Sequence, residues 1–134
     1  MILDWEGLEE DFFERAVLMG IVTSLPYYQV VRRLNALLRI SLLRQHDSEK
    51  LVQEQYFPLY TYMDQARFMA YYFYINRSKG HFLLSELRQV DYLLMIKGGF
   101  PPGDLPERLR AALPAEQVVV LDIDRLRSRQ QLLL

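Results

Sequence analysis

Residues 84–97 read LSELRQVDYLLMIK, a polar loop sequence that runs directly into an apolar one. From Tyr92 to Ile96 the residues are apolar without interruption and show no helical period, which is typical of a strand buried on both faces. Gly98 and Gly99 follow and favour a turn, so they end the strand. The segment therefore predicts a central strand of a sheet with polar side chains at its entrance.

Three polar anchors accompany this strand. Glu86 falls in the loop ahead of it, Asp91 stands at its entrance, and Tyr92 lies one residue further on the opposite face of the pleat. In a structural role the two carboxylates accept hydrogen bonds from backbone amides or form ion pairs with arginines such as Arg88. Tyr92 then buries its ring, and its hydroxyl forms a hydrogen bond. In a functional role they form a polar patch at one end of the sheet that recognises a partner or ligand. We favour the structural role, and both stay open.

Two further apolar runs predict strands of the same sheet. Residues 16–22 are rich in β-branched side chains and predict another central strand. Residues 118–121 read VVVL and predict a strand inside the sheet core, where an unpaired charge in place of Val119 would prevent soluble folding. Residues 40–44 predict a shorter extended segment.

Amphipathic segments predict helices. Ser24 and Pro26 suit a helix start, since serine caps free amides and proline is tolerated in the first turn. The apolar stripe of that helix comprises Tyr27, Val30, Val31, Leu34, Leu37 and Leu38. A second helix follows residues 101–104, and Pro114 ends it. Its apolar side comprises Leu105, Leu109, Ala112 and Leu113. A short terminal helix is predicted over residues 126–132.

Aromatic residues crowd the segment 52–75, whose alternation predicts two long antiparallel strands. Asp64 and Gln65 lie midway and form the predicted turn, but they lack the Asn-Gly chemistry that would fix the register. Pro58 has no amide proton and is expected at an edge or a bulge. The candidate interface residues of this hairpin are Tyr60, Tyr62, Tyr72 and Tyr74.

The order of these elements is strand, helix, strand, hairpin, strand, helix, strand. It predicts one α+β domain over residues 1–134, with a mainly antiparallel sheet, helices on one face and a loosely ferredoxin-like plan extended by the aromatic hairpin. The length of 134 residues and the apolar share of 51% suit one core, and no composition shift divides the chain.

Residues 84–92 resemble the signature of the IPExxxVDY family, an uncharacterised bacterial family. Its charged and apolar positions are matched by Glu86, Val90, Asp91 and Tyr92, whereas Leu84 and Ser85 stand where the family has Ile and Pro. Weaker features of the same resemblance are residues 59–64, Asn76 and the ending Leu126-Arg127-Ser128. The resemblance implies membership of a family, but it implies no activity, because the family has none to transfer.

Composition narrows the function classes. The chain has 16 basic and 17 acidic residues, a balance that recruits neither nucleic acid nor membrane. It has no cysteine, which excludes disulfides and thiolate-bound zinc, and its two histidines are far apart, so no metal and no cofactor are predicted. The opening residues carry acids where a secretion signal needs basic ones, and no apolar stretch approaches a membrane span. We expect a cytoplasmic protein without membrane association.

Three function classes stay open, and no catalytic residue is assigned. The favoured class is a non-catalytic protein-interaction or adaptor domain that binds another protein or its own copy as a homodimer, because tyrosine-rich surfaces suit interfaces. An RNA-binding domain is the alternative if the four tyrosines share an exposed face ringed by Arg67 and Arg77. A small enzyme requires Glu86, Asp91 and a histidine such as His81 to meet in one cleft.

Overall fold

An antiparallel sheet forms the centre of the protein. The computed structural model describes residues 12–99 and 101–133. Its helices and strands are, in chain order, β1 (Ala16–Val22), α1 (Tyr27–Leu38), β2 (Leu43–Arg44), β3 (Lys50–Val52), β4 (Gln55–Phe57), β5 (Leu59–Asp64), β6 (Met69–Ile75), β7 (Arg77–Ser78), β8 (His81–Phe82), β9 (Tyr92–Lys97), α2 (Leu105–Ala112) and β10 (Gln117–Leu121). The main sheet has the order β10-β1-β9-β6-β5-β2, and every neighbouring pair is antiparallel. Two small hairpins, β3–β4 and β7–β8, stand apart from it.

The predicted α+β class with a mainly antiparallel sheet is confirmed. Both helices pack against the same face of the sheet, as expected. Since β9 and β10 are each antiparallel to β1 and lie on either side of it, they run parallel to one another. With α2 between them in the chain, they form a split βαβ unit of the kind found in ferredoxin-like folds.

The apolar runs differ in where the sheet places them. The predictions of central strands at residues 16–22 and 92–97 are confirmed, because β1 and β9 are neighbours in the middle of the sheet. The prediction that residues 118–121 lie inside the sheet core is wrong. Strand β10 pairs with β1 along one side and forms an edge, so Val119 is only partly buried and Val120 is 61% exposed. An edge position leaves one side of a strand without the packing that a central strand receives.

Helix α1 has the predicted extent but a different start. Its N-cap is Pro26, whose carbonyl accepts hydrogen bonds from Gln29 and Val30. No side chain caps the first turn, so the prediction that Ser24 does so is wrong; Thr23, one residue earlier, uses its hydroxyl to accept a hydrogen bond from the amide of Leu25. The predicted apolar stripe is confirmed, since all six of its residues pack into the core beneath the helix.

The long hairpin predicted over residues 52–75 is confirmed for residues 59–75, but residues 52–57 belong to the separate β3–β4 hairpin. Strands β5 and β6 pair from Leu59 with Tyr74 to Asp64 with Met69, and the turn covers residues 65–68. The predicted terminal helix is replaced by two short 3₁₀ turns, Ile123–Arg125 and Arg129–Leu132. The second turn ends on fully buried Leu132, whose carbonyl accepts a hydrogen bond from the Tyr74 hydroxyl at 2.7 Å.

The sheet is covered on both faces. On the helix face, α1 and α2 cover a core from β1, β6 and β9 that includes Met19, Ile21, Phe73, Leu94 and Ile96. On the opposite side, which we term the loop face, the segment 83–90 and the C-terminal turns cover a second core. That core includes Leu18, Leu59, Tyr74, Leu93, Met95 and Leu132.

Candidate functional site

Glu86 fixes the C-terminal segment to the loop that precedes β9. Its Oε1 accepts hydrogen bonds from the amide and the hydroxyl of Ser128, and its Oε2 accepts one from the amide of Arg127 at 3.0 Å. The guanidinium of Arg127 lies 3.7 Å from the same carboxylate. Partial burial acts to raise the pKa of Glu86, but these hydrogen bonds outweigh it and lower that pKa below its usual value.

Asp91 and Tyr92 fix the entrance of β9 to the segment between β1 and α1. The Asp91 carboxylate accepts a hydrogen bond from the amide of Thr23 at 3.1 Å and lies 3.8 Å from the guanidinium of Arg77. The Tyr92 hydroxyl donates to the carbonyl of Leu25 at 2.6 Å, and burial raises the pKa of Tyr92 to about 12. Thr23 and Leu25, which both precede α1, are thus held by the first residues of β9 and its entrance.

Val90 and Asn76 complete the same region. Val90 is buried, and a Cβ placed on Gly20 would lie 3.2 Å from its side chain, so the two residues pack in direct contact. Asn76 is fully buried, and its side-chain amide donates to the carbonyls of Leu87 and Val90 while its oxygen accepts from the amide of Leu84. Every polar atom of this buried side chain therefore has a hydrogen-bond partner in the loop of residues 84–90.

These contacts are the ones that a structural role predicts for Glu86, Asp91 and Tyr92. One detail differs: Asp91 pairs with Arg77 rather than with Arg88, whose guanidinium instead lies 5.5 Å from the centre of the Phe82 ring. Glu86 and Asp91 hold different segments and share no hydrogen-bond donor within residues 12–99 and 101–133. The structure does not join the two carboxylates in one reactive arrangement.

Both histidines lie on the surface. His81 is exposed on β8 and lines a cleft of about 300 Å³ with Ser85, Arg88 and Ser128. His46 is exposed near Glu49. Within the part of the chain that the structure describes, no group of three or more histidine and carboxylate residues is placed to hold a metal ion.

The four candidate tyrosines lie on opposite faces of the sheet. Tyr60 and Tyr62 are half-buried beside the helix-face core, whereas Tyr72 and Tyr74 are buried in the loop-face core. The reason is the pairing of β5 with β6, which sets Tyr60 opposite Phe73, so the tyrosines of the two strands point to different sides. The shared exposed face required for base stacking is not formed.

A different surface, which we term the hairpin-end cleft, is a concavity at one end of the sheet. It has a volume of about 790 Å³ and lies where the β5–β6 turn meets the start of β1 and the end of β9. The strand register places Met63, Ala70, Lys97 and Ala16 side by side across four strands on the loop face. Because two of these four are alanines, the row leaves a depression at this end of the sheet.

The rim of the hairpin-end cleft is held by close backbone contacts. Phe68 stands in the left-handed region at φ 55° and is 87% exposed, and Met63 beside the cleft is 52% exposed. A Cβ on Gly98 would lie 2.2 Å from the carbonyl oxygen of Phe68, so only glycine fits between the turn and β9. The amide of Gly98 also donates to the carbonyl of Arg15, which connects the segment before β1 to the end of β9 and the β5–β6 turn.

Lys97 contributes a partly buried cation to the hairpin-end cleft. Its ammonium lies 4.0 Å from the centre of the Phe12 ring and 5.9 Å from that of Tyr72. Among the described residues, no carboxylate lies within ion-pair distance of it. Burial lowers the pKa of Lys97 below its usual value. The cleft therefore combines exposed apolar side chains with a cation whose neighbours are aromatic faces.

Sequence reasoning did not identify this cleft. Its residues come from three segments, and only the register between β5, β6 and β9 sets them side by side. The available signals were the two glycines after Lys97 and an apolar phenylalanine in a polar turn.

No protein-family model matches the chain, and no curated protein sequence matches it. Within the described residues, no helix is long and apolar enough to cross a membrane.

Proposed function

We propose that this protein is a non-catalytic interaction domain of the cytoplasm, and that the hairpin-end cleft binds a segment of another protein. The observation that carries the proposal is Phe68, a phenylalanine 87% exposed on the rim of this cleft. Strained backbone at an exposed site is a feature of ligand-binding turns, and the left-handed conformation of Phe68 is of this kind.

The energetics of the cleft suit association. Covering a phenylalanine side chain removes apolar surface from water and contributes about 1.5–3 kcal/mol to binding. Met63 and Met69 flank Phe68 with flexible, polarizable side chains that adapt to irregular surfaces. The turn itself is anchored, because Gly98 packs against the Phe68 carbonyl, so little ordering accompanies binding at the rim.

The other two function classes receive less support. An enzyme built on Glu86 and Asp91 would have to release both carboxylates from the hydrogen bonds that hold the loop and the strand entrance. An RNA-binding sheet would need Tyr72 and Tyr74 exposed, and both are buried.

The test is a pair of matched variants, Phe68→Ser and Tyr28→Ser. Both remove an exposed aromatic ring, since Tyr28 is 61% exposed on α1, away from the cleft-lining residues. We expect both variants to melt within a few degrees of the unmodified protein, because neither ring belongs to the core. A partner that is captured by the unmodified protein and by Tyr28→Ser, and lost by Phe68→Ser, supports the proposal when the purified partner reproduces the difference.

Each other result has a meaning. Partners that disappear equally with both variants or with neither show that the cleft is not the binding surface. Partners that disappear on nuclease treatment favour the RNA alternative instead. A self-association that is lost only in Phe68→Ser, measured by analytical ultracentrifugation, would make the bound segment part of a second copy.

A further inference from the structure

We infer that the segment bound in the hairpin-end cleft carries an acidic side chain next to its apolar residues, and that this carboxylate pairs with Lys97. The inference rests on the proposed function and specifies the chemistry of the partner. It is carried by the position of Lys97, which lines the cleft and lies in the sheet between Ala70 on β6 and Ala16 on β1.

The position of Lys97 is unusual for a lysine. Lysine side chains normally extend their charge into water, and they are rarely buried without a partner. Here the ammonium is partly withdrawn from solvent against the faces of Phe12 and Tyr72. Cation–π contacts of this kind offset part of the desolvation, but they leave the hydrogen-bonding capacity of the ammonium available to an anionic group.

The other charges around the cleft do not supply that anion. Asp64 already accepts a hydrogen bond from the amide of Arg67 and lies 3.8 Å from its guanidinium. Glu14 and Arg15 also line the cleft and are both exposed, and their opposite charges cancel in its net charge. The net attraction for an incoming carboxylate is therefore concentrated at Lys97, inside the cleft rather than around it.

The ion pair between Lys97 and a partner's carboxylate would strengthen as the partner covers it. When apolar residues of the partner close over Phe68 and Met63, water is displaced and the ion pair moves into a medium of lower dielectric, where charge attraction is stronger. An apolar segment without an acid would bury the Lys97 ammonium further with no compensating partner, which is costly. The cleft thus discriminates between acidic and neutral apolar segments.

The experiment is a selection from a displayed library of short random peptides. The peptides carry no free C-terminal carboxylate, so that any acidic group comes from an Asp or Glu side chain. The library is presented in parallel to the unmodified protein, to Lys97→Gln and to Phe68→Ser. We expect peptides that depend on Phe68 to contain apolar residues with an Asp or Glu, and the acidic preference to be lost with Lys97→Gln. Synthetic versions of the selected peptides should bind at least about tenfold more weakly to Lys97→Gln, and a Glu→Gln peptide should show the same loss.

The two failures are distinguishable. Peptides that depend on Phe68 but show no acidic preference, or keep that preference with Lys97→Gln, overturn the assignment to Lys97 and leave the proposed function intact. If no selected peptide depends on Phe68, both the proposed function and the assignment to Lys97 fail. Arg32→Gln on the exposed side of α1 serves as the charge control and should select the same peptides as the unmodified protein.

Discussion

Replacing Asn76 by alanine should destabilise the protein severely, although it removes only a small side chain. Asn76 makes three side-chain hydrogen bonds, of 2.8, 2.9 and 2.8 Å, to Leu87, Val90 and Leu84. Each net hydrogen bond contributes about 1 kcal/mol, so their loss costs about 3 kcal/mol before any penalty for the buried groups left without partners. That is a large share of a typical stability of about 5–15 kcal/mol.

The assays are thermal and urea unfolding, both followed by circular dichroism, with hydrogen exchange as a third measurement. We expect Asn76→Ala to lower the melting temperature by roughly 10 °C and to accelerate exchange of the Leu84 amide, which loses its acceptor. Gln89→Ala is the matched control, because Gln89 is an exposed amide side chain in the same loop, and it should change stability by less than about 0.5 kcal/mol. A loss below about 1 kcal/mol for Asn76→Ala, with an unchanged denaturant slope, would refute the reasoning.

Two further predictions concern Glu86 and Gly98. The folded-state pKa of Glu86 is lowered, so its contribution to stability is present above its unfolded pKa of about 4.3 and is lost as pH falls through the folded value. Glu86→Gln should therefore melt below the unmodified protein at pH 7, and the difference should shrink in acid; a difference independent of pH would contradict this assignment. Gly98→Ala and Gly80→Ala both place alanine at positive φ, 75° and 80°, but only Gly98 meets a backbone oxygen, whereas nothing lies within 4 Å at Gly80. Thermal melting should show a clearly larger loss for Gly98→Ala, and equal losses would show that the turn adjusts freely.

The sequence predicted those elements whose burial leaves a local pattern. The stripe of α1 was identified from its helical spacing, and β1 and β9 from uninterrupted apolar runs, because both faces of these two strands are buried. The run at residues 118–121 is equally apolar, yet it forms an edge, since the order of strands is set by pairing between distant segments and leaves no trace in a local pattern.

The candidate sites were predicted less well for the same reason. The structural role of Glu86 depends on Ser128, 42 residues further along the chain, and no local spacing joins them. The placement of the tyrosines on two faces follows from a register that the turn at Asp64 and Gln65 did not specify. The hairpin-end cleft needs the same register, so it could not be recognised before the strands were aligned.

The order of strands also bears on how the protein is made. Strand β1 is synthesised well before both of its neighbours in the sheet, β9 and β10, which lie at residues 92–97 and 117–121. Until they appear, an apolar strand has no partner within its own sheet. Such distant pairing slows folding and leaves a nascent chain open to aggregation. The acquisition of the fold should therefore be late and abrupt, and the protein should depend on chaperones more than its size suggests.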